Sequence, residues 1–165
     1  MKEYEMRRKD KQVSDPKWME AILRRGQVIN LGLAGEDGWP YIVPMCYGYR
    51  DGAIFLHGAP VGRKHDVLAV NPKVCFQVTL DAQVASNELA AKFTMKYRSV
   101  MGFGRLRTLT DPEERREALD ILMEHYGGPH VRSEDVNSRV WVARIDVESV
   151  SGKSSVYPPE SAESP

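Results

Sequence analysis

The sequence carries no excess of charge and no long apolar run, and these absences exclude whole classes of protein. Among its 165 residues, 23 basic and 23 acidic side chains balance to a formal net charge of zero. Domains that bind nucleic acid or anionic membranes normally carry a basic excess. No apolar stretch approaches the roughly 18 residues of a membrane-spanning helix. The charged first residues, MKEYEMRRKDK, are followed by no apolar segment, so we expect a cytoplasmic protein without a secretory signal.

Only two cysteines are present, and their spacing excludes a disulfide framework and a zinc signature. Cys46 and Cys75 are far apart in the sequence and form no CxxC pair. Both lie in apolar segments, which predicts buried, reduced thiols. The four histidines show neither HExxH nor a two-histidine-plus-carboxylate spacing, and no GxSxG sequence is present. We therefore expect no metal ligands and no serine nucleophile.

Length and composition predict one folded domain between polar ends. A chain of 165 residues has the size of a single domain. Residues 1–14 are polar and mostly charged, and we interpret them as a mobile arm or as a strap over a partner subunit. Residues 15–153 form the expected domain. From 154 to 165, serine, proline and glutamate dominate, which predicts a disordered tail.

Capping residues predict two helices, and a third segment is a candidate for a short one. The Asp-Pro pair at 15–16 is a typical helix start. Apolar residues at helical spacing then continue to Gly26, a suitable left-handed C-terminal cap. The Asp-Pro pair at 111–112 begins a second helix that ends at Gly127. Residues 62–70 are predicted to form the short helix.

Apolar alternation and Asp-Gly turns predict six strands. The first three follow one another through tight turns as an antiparallel meander. A parallel doubly wound sheet would need helical crossovers instead. The predicted fold class is therefore mainly β, a small six-stranded antiparallel barrel with flanking helices. Residues 81–96 are the segment whose structure the sequence leaves unassigned. The strands are predicted at 28–33, 41–47, 53–57, 74–80, 97–109 and 140–150.

Residues 57–64, HGAPVGRK, are the first candidate for a ligand site. The segment leaves a strand, runs through small residues and ends with Arg63 and Lys64 at a predicted helix start. Exposed amides, a helix N-terminus and two cations together favour a phosphate. The spacing matches neither the P-loop nor the GxGxxG fingerprint, and an ordinary loop with solvated cations is the alternative.

Two strand segments are further candidates. Residues 97–104, YRSVMGFG, carry Ser99 and two glycines that allow a planar ligand to lie close. The alternative is a barrel strand with a solvent-facing arginine. Residues 40–47, PYIVPMCY, contain Pro44, which cannot donate to a ladder and marks an edge, a bulge or a break that faces a ligand. Here the alternative is a core strand with an edge proline.

Taken together and in this order, the three segments resemble the FMN-binding split barrel of the pyridoxamine 5′-phosphate oxidase-like superfamily. The resemblance covers residues 15–153 and is closest to the branch of the nitroimidazole-resistance proteins. It implies a split barrel, a homodimer, and FMN bound in clefts at the subunit interface. The implied cofactor-binding residues are the strand positions Val43, Pro44, Met45, Cys46 and Tyr47, the turn positions His57 and Gly58, the phosphate-binding Arg63 and Lys64, and the polar Ser99.

The resemblance also implies a reaction class. In the resistance-protein branch, a histidine at the position of His57 lies near the flavin. His57 is therefore the candidate catalytic residue in contact with substrate, the alternative being a histidine that only packs at a strand end. The true oxidases carry a C-terminal segment with arginine and histidine that binds the substrate phosphate, and residues 151–155, SGKSS, do not match it. We expect an FMN-dependent oxidoreductase of the nitroreductase or flavin-reductase type, not a vitamin B6 oxidase.

Several other interpretations remain open. The first alternative is a non-catalytic flavin carrier or redox sensor. The second is a protein of the same fold that binds the deazaflavin F420 or haem. The third is a dimeric barrel without a cofactor. A small-molecule substrate is expected, and nucleic acid and membrane partners are not. The dimer is an expectation from the resemblance. It is supported by aromatic residues that we expect to be exposed and covered by a partner, namely Trp39, Tyr47, Tyr49 and Trp141.

Overall fold

The computed structural model of the protein describes residues 5–130 and 140–156. These residues form three α-helices and eight strands, with short 3-10 turns at Lys9–Lys11 and Ala90–Lys92. The elements in chain order are β1 (Gln12–Val13), α1 (Pro16–Arg25), β2 (Ile29–Ala34), β3 (Pro40–Met45), β4 (Tyr47–Arg50), β5 (Ala53–Gly58), α2 (Arg63–Val70), β6 (Lys73–Ala85), β7 (Thr94–Thr108), α3 (Pro112–His125) and β8 (Trp141–Ser154).

The chain divides into two compact units, which we describe separately. The terminal unit consists of Met1–Gly26, Val78–Met101 and Val150–Pro165, and the central unit consists of Gln27–Gln77 and Gly102–Ser149. The strands β6, β7 and β8 contribute residues to both units. The strand order is β3-β2-β6-β7-β8-β5-β4, with β1 paired to β8. The predicted mainly β, antiparallel fold with flanking helices is confirmed.

The segment predicted as one strand over 41–47 is divided between two strands at opposite ends of the sheet order. β3 pairs with β2, whereas β4 pairs with β5, and Cys46 separates them. Pro44 lacks the backbone N–H that a continuous ladder requires, which favours a break close to it. The first three predicted strands are therefore not a simple meander. With this division and the short β1, the described residues contain eight strands rather than six.

Both strong helix starts form as predicted because an aspartate caps each of them. The Asp15 carboxylate accepts a hydrogen bond from the Lys17 amide at 3.0 Å, and Asp111 accepts two from amides in the first turn of α3. These bonds satisfy amides that have no partner within the helix. At the end of α1 the prediction of a left-handed cap is wrong. Gly26 has a φ of −67°, and its amide continues the helical pattern by donating to the Ile22 carbonyl.

The core of the central unit lies between α3 and the strands β5 and β8. Complete burial of each large apolar side chain stabilises the fold by roughly 1.5–3 kcal/mol. The hairpin from β4 to β5 turns at Asp51 and Gly52, whose φ angles of 50° and 75° are those of the primed turn that Asp-Gly predicts. This core fixes the strand ends from which the candidate site extends. Its buried residues are Ala53, Phe55, Leu109, Ala118, Ile121, Leu122 and Val142.

The core of the terminal unit is formed around α1. Gly152 of β8 lies against this helix, and a Cβ at that position would be 3.0 Å from Met19 Cγ and 2.7 Å from the Val13 carbonyl oxygen. β1 pairs with β8, with Gln12 opposite Lys153. The last residues of the predicted polar arm therefore pair with the chain's own sheet. The buried face of α1 consists of Trp18, Met19, Ile22 and Leu23.

Several segment ends differ from the sequence expectation. β6 continues to Ala85 and β7 begins at Thr94, so strand structure extends into the segment that the sequence left unassigned. β8 continues to Ser154, the first residue of the predicted tail, and residues 157–165 lie outside the described residues. Among the described residues, no helix has the length and apolar character needed to cross a membrane.

The paired glycines of β7 are required by packing within the central unit. A Cβ at Gly102 would lie 2.6 Å from the Ser149 carbonyl oxygen and would overlap the Phe76 ring. A Cβ at Gly104 would lie 2.8 Å from Ile145 Cγ2. Such approaches cannot be accommodated without moving the neighbours. These glycines therefore allow β7 to pack closely against its neighbours within the central unit.

Candidate functional site

The loop from Gly58 to Gly62 connects β5 to α2 and leads into three basic side chains. Gly62 is the N-cap of α2 and has a φ of +118°, a backbone conformation that favours glycine. Because glycine has no side chain to cap a helix, no side chain caps the first amides of α2, and the His65 amide donates to the Gly62 carbonyl oxygen at 2.8 Å. Arg63, Lys64 and His65 form the first turn. The helix N-terminus carries positive partial charge, so the arrangement favours an anion.

Lys64 and His65 share one hydrogen-bond acceptor on this loop. The Lys64 Nζ donates to the Ala59 carbonyl oxygen at 3.0 Å, and the His65 Nε2 donates to the same oxygen at 2.8 Å. The Lys64 Nζ lies 5.4 Å from the centre of the Trp141 ring, and the His65 ring meets Trp141 edge-on at 4.9 Å. Trp141 was expected to be exposed, but it is only 6% exposed. It forms a buried aromatic surface against which both side chains rest.

Arg63 makes looser contacts than its two neighbours. Its guanidinium carbon lies 5.0 Å from the centre of the Tyr41 ring, and its Nη2 lies 3.8 Å from Asp37 Oδ2. The Arg63 side chain is 56% exposed. An exposed ion pair contributes about 1 kcal/mol at most. A phosphate can therefore replace Asp37 as the partner of Arg63 at little cost.

Two of the three candidate segments meet at Gly58. The position that a Cβ of Gly58 would occupy lies 3.6 Å from Lys64 Nζ and 3.6 Å from Met45 Cε. Arg63 makes a second link, through the Tyr41 ring of β3. The basic turn of α2 and the strand β3 therefore adjoin in the central unit, as a site built from both requires.

Pro44 lies in a strand at one end of the sheet order. β2 is the neighbour of β3, and Pro44 faces Asn30 in that pairing. Pro44 is exposed, whereas Val43 and Met45 are half-buried. The outer edge of such a strand carries backbone N–H and C=O groups that the ladder does not use. Of the positions that the sequence left open for Pro44, the structure shows the edge.

The prediction that both thiols are buried is wrong. Cys46 is exposed at the junction of β3 and β4, and Cys75 is half-buried in β6. Both are free thiols. Neighbouring residues on a strand point to opposite faces, so an apolar segment does not bury each of its members. Burial raises the pKa of the Cys75 thiol.

Tyr47 is buried rather than exposed, and its backbone is held by Tyr126, the C-cap of α3. Its N–H donates to Tyr126 Oη at 3.0 Å, and Tyr126 Oη donates to the Gln27 carbonyl oxygen at 2.6 Å. The His125 ring lies 4.7 Å from the Tyr47 ring. Burial raises the pKa of Tyr47, so its hydroxyl stays neutral at physiological pH. Because Tyr126 occupies the amide of Tyr47, that amide is engaged within the protein.

His57, the predicted catalytic residue, lies near the end of β5. It is half-buried and faces Val142 of β8 in the strand pairing. Gly58 follows directly, and the Lys64 amine and the Met45 methyl group lie beside that glycine. The histidine is therefore adjacent in the chain to the point where the two candidate segments meet.

Ser99 belongs to the terminal unit and is described apart from the other candidates. It is half-buried in β7 between two buried residues, Arg98 and Val100. The solvent-facing arginine of the alternative interpretation is not found, because Arg98 is 3% exposed and its guanidinium forms an ion pair with Asp81. Side chains of neighbouring strand residues point to opposite faces, so Arg98 and Ser99 do not share a surface. The arginine of this segment is committed to a carboxylate of the same unit.

Sequence reasoning missed four residues that support the site. Their partners lie elsewhere in the chain, and no local pattern identifies such contacts. The described residues contain no group of three or more histidine, cysteine or acidic side chains that could hold a metal ion. The missed residues are Asp37, which pairs with Arg63, His65 and Trp141, which surround Lys64, and Tyr126, which holds Tyr47.

Comparison with known proteins identifies relatives over most of the chain. A family model described as pyridoxamine 5′-phosphate oxidase matches residues 15–154. Among solved structures, a candidate 5-nitroimidazole antibiotic resistance protein from Bacteroides thetaiotaomicron is 30% identical, with a TM-score of 0.77. That match covers 87% of this chain and 86% of the other.

Two further solved structures are more distant. A FAD-binding protein from Mesorhizobium loti is 26% identical, with a TM-score of 0.62, over 86% of this chain and 96% of the other. A FAD- and haem-binding protein from Mycobacterium smegmatis is 18% identical, with a TM-score of 0.76, over 91% and 76%. At 18% identity the likeness shows the fold alone. Among curated proteins, none matches this chain.

Proposed function

Because the chain belongs to the pyridoxamine 5′-phosphate oxidase family, we propose that it is an FMN-binding oxidoreductase of the nitroreductase or flavin-reductase type. Its antiparallel sheet is consistent with the split barrel of that family. Its similarity to a candidate nitroimidazole-resistance protein and to a FAD-binding protein supports a flavin as the cofactor. The end of β8 reads SGKSS, without the arginine and histidine of the true oxidases, so we do not propose oxidation of vitamin B6.

The observation that carries the proposal is the basic turn of α2. Arg63 and Lys64 follow a glycine N-cap, and the partners they have are exchangeable: a distant carboxylate, a backbone carbonyl and two aromatic rings. A terminal phosphate is close to a dianion at neutral pH. Two adjacent cations and a helix N-terminus match that charge. A bridging pyrophosphate has no such dianionic end, and this favours FMN over FAD.

The surroundings of Gly58 fit the flavin ring. Gly58 has no side chain, and the edge of β3 carries unused backbone groups beside it. We assign the ring contacts to this edge, at Val43, Pro44, Met45 and Cys46, and to the turn at His57 and Gly58. The engaged amide of Tyr47 makes that residue a support of the strand rather than a donor to the ring. The assignment of Ser99 as a polar contact remains part of the proposal.

The chemistry would be divided between the cofactor and the chain. When bound, FMN supplies one- and two-electron redox chemistry, and the protein contributes binding, orientation and electrostatics. Arg63 and Lys64 neutralise the phosphate and anchor one end of the molecule. The β3 edge orients the other end. His57 holds a proton on an imidazole nitrogen next to Gly58, where it can transfer that proton to a reduced substrate.

We further propose a cytoplasmic homodimer with the cofactor at the subunit interface. Three large apolar side chains of the central unit, Trp39, Ile42 and Val61, are strongly exposed in the single chain. Exposed apolar side chains near a ligand site are typical of surfaces that a partner covers. Elution of the flavin-loaded protein as a monomer at low concentration would contradict the interface.

The test is a visible spectrum of the purified full-length protein, followed by release of the ligand by heat and its identification by mass. FMN is the expected ligand. FAD would support the flavin but contradict the terminal-phosphate assignment, and haem or F420 would replace the flavin altogether. A colourless protein that also fails to bind added FMN would overturn the proposal. Turnover of NAD(P)H with a nitroaromatic compound then distinguishes an enzyme from a flavin carrier or redox sensor.

A further inference from the structure

The carbonyl group of Ala59 accepts the hydrogen bond that holds the Lys64 side chain against the loop when no ligand is bound. Its oxygen accepts one hydrogen bond from Lys64 Nζ at 3.0 Å and one from His65 Nε2 at 2.8 Å. A carbonyl oxygen has two lone pairs and satisfies both donors at once. Since a carbonyl cannot donate, His65 Nε2 carries the proton of this bond. Two neighbouring residues of α2 therefore hold the same point of the loop.

Of the two donors, Lys64 is the one that can leave the Ala59 carbonyl to bind a phosphate. Lys64 Nζ is a mobile point charge on a flexible stem, and any anion that binds it competes with the Ala59 carbonyl. The loop it holds contains glycine at both ends, Gly58 and Gly62, and fixing such backbone costs conformational entropy. If Lys64 were the only tie, its transfer to a phosphate would release the loop. A second tie at Ala59 removes that cost.

His65 is fixed well enough to be this second tie. Its ring meets Trp141 at an interplanar angle of 83° and a centroid distance of 4.9 Å. Trp141 is itself buried, and its Nε1 donates to Thr108 Oγ1 at 3.0 Å. In the strand pairing Trp141 lies opposite Gly58, the residue that begins the loop. His65 thus connects Ala59, near the start of the loop, to Trp141 of β8.

We infer that His65 is a positioning residue that holds the 58–62 loop through the Ala59 carbonyl, so that Lys64 is free to exchange this carbonyl for a phosphate. The inference rests on the proposed function, because it assigns Lys64 to the FMN phosphate. It goes beyond that proposal by giving a role to a residue that does not touch the cofactor. The role is specific to the phosphate end and makes no demand on the flavin ring.

The test compares FMN with riboflavin, which has the same ring and no phosphate. Dissociation constants are measured by flavin fluorescence for the full-length apoprotein and for His65→Leu and His65→Gln. Leucine removes the donor, whereas the glutamine amide restores an N–H at a similar reach. We expect His65→Leu to weaken FMN binding about five- to tenfold, the effect of one hydrogen bond, with riboflavin binding unchanged. His65→Gln should return FMN binding to within about twofold of the original value.

A double-mutant cycle with Lys64→Ala tests the coupling. When Lys64 is absent there is no exchange to assist, so adding His65→Leu should not change FMN binding further. Additive losses would overturn the inference, and so would equal weakening of FMN and riboflavin by His65→Leu, or a glutamine variant as weak as the leucine variant. His130→Leu, at a histidine whose side chain is 97% exposed, is the matched control. Thermal melts of every variant verify folding.

Failure of the proposed function gives a different result from failure of the inference. If the original protein binds FMN and riboflavin equally, or binds neither, the phosphate assignment is wrong and the inference is overturned with it. If the original protein prefers FMN and His65→Leu retains the full preference, the phosphate assignment stands and the role of His65 alone is wrong.

Discussion

Two arginines, Arg98 of the terminal unit and Arg63 of the central unit, have different kinds of partner. In the terminal unit, Arg98 is 3% exposed and forms an ion pair with Asp81, which also lies 3.8 Å from Arg25. In the central unit, the Arg63 side chain is 56% exposed, and its Nη2 lies 3.8 Å from Asp37 Oδ2. A charge that is buried with a matching carboxylate serves the fold. A charge that rests on rings and distant groups is available to a ligand.

The difference follows from the cost of removing charge from water. A buried cation without a partner is strongly unfavourable, so Arg98 depends on Asp81. On α2, Arg63 is exposed and Lys64 is half-buried, so both cations keep part of their hydration and gain little from their present partners. These two cations can therefore exchange their present partners for an incoming anion at little cost in free energy. Each prediction below changes one side of this comparison.

The largest expected effect is on stability in the terminal unit. Asp81→Asn removes the carboxylate of the pair and leaves the buried Arg98 cation without it. We expect the free energy of unfolding to fall by about 3 kcal/mol, measured by urea denaturation. Glu148→Gln is the matched control, since Glu148 pairs with Arg105 at 2.8 Å and both side chains are exposed. It should cost less than about 1 kcal/mol, and similar losses from both variants would contradict the comparison.

The next effect is on binding in the central unit. Replacing Arg63 and Lys64 together by alanine should weaken FMN at least about 100-fold, because two charge-assisted hydrogen bonds are lost. The unfolding free energy should change by about 1 kcal/mol, because Arg63 is exposed and the half-buried Lys64 loses its hydrogen bond to Ala59. Calorimetric titration with FMN measures the first and denaturation the second. Undiminished FMN binding would remove the phosphate assignment.

The control for this variant is a second pair of exposed cations on another helix. Lys17→Ala with Arg24→Ala on α1 makes the same change of charge. We expect it to leave FMN binding within about threefold, because α1 contributes no residue to the candidate site and salt screens exposed charges. Equal weakening by the two double variants would mean that net charge, rather than the α2 turn, decides the affinity.

The smallest effect concerns the aromatic partner of the α2 cations. Trp141→Phe keeps an aromatic face beneath Lys64 and His65 but removes the hydrogen bond to Thr108. We expect a loss of about 1 kcal/mol in unfolding free energy and little change in the preference for FMN over riboflavin. Trp141→Leu removes the face itself and should reduce that preference about threefold. Preferences that are identical in the two variants would show that the ring has no electrostatic role.

Local chemistry explains why some elements could be predicted from the sequence. The Asp-Pro starts of α1 and α3 need only a carboxylate beside free amides, and both form. The Asp-Gly turn between β4 and β5 likewise needs only residues that accept positive φ. The basic turn of α2 was found because small residues and cations follow one another directly. In each case the deciding partners lie within a few residues.

Contacts between distant residues explain what could not be predicted. The division at Cys46 depends on which strand pairs with each half of the segment, and those strands come from different parts of the chain. The burial of Arg98 depends on Asp81, and that of Trp141 on the turn of α2 beside it. The alternation of apolar and polar residues along one strand distinguishes its two faces. It does not show which face other parts of the chain cover.

The exposed thiol at the junction of β3 and β4 makes the candidate site accessible to selective labelling. The chain has two cysteines, and burial raises the pKa of Cys75, which lowers its thiolate fraction at neutral pH. A maleimide fluorophore should therefore react first with Cys46, which is exposed. The dye would be attached where the strand beside Gly58 ends, without any substitution in the chain. Its emission would report directly on the occupancy of the neighbouring surface during a ligand titration.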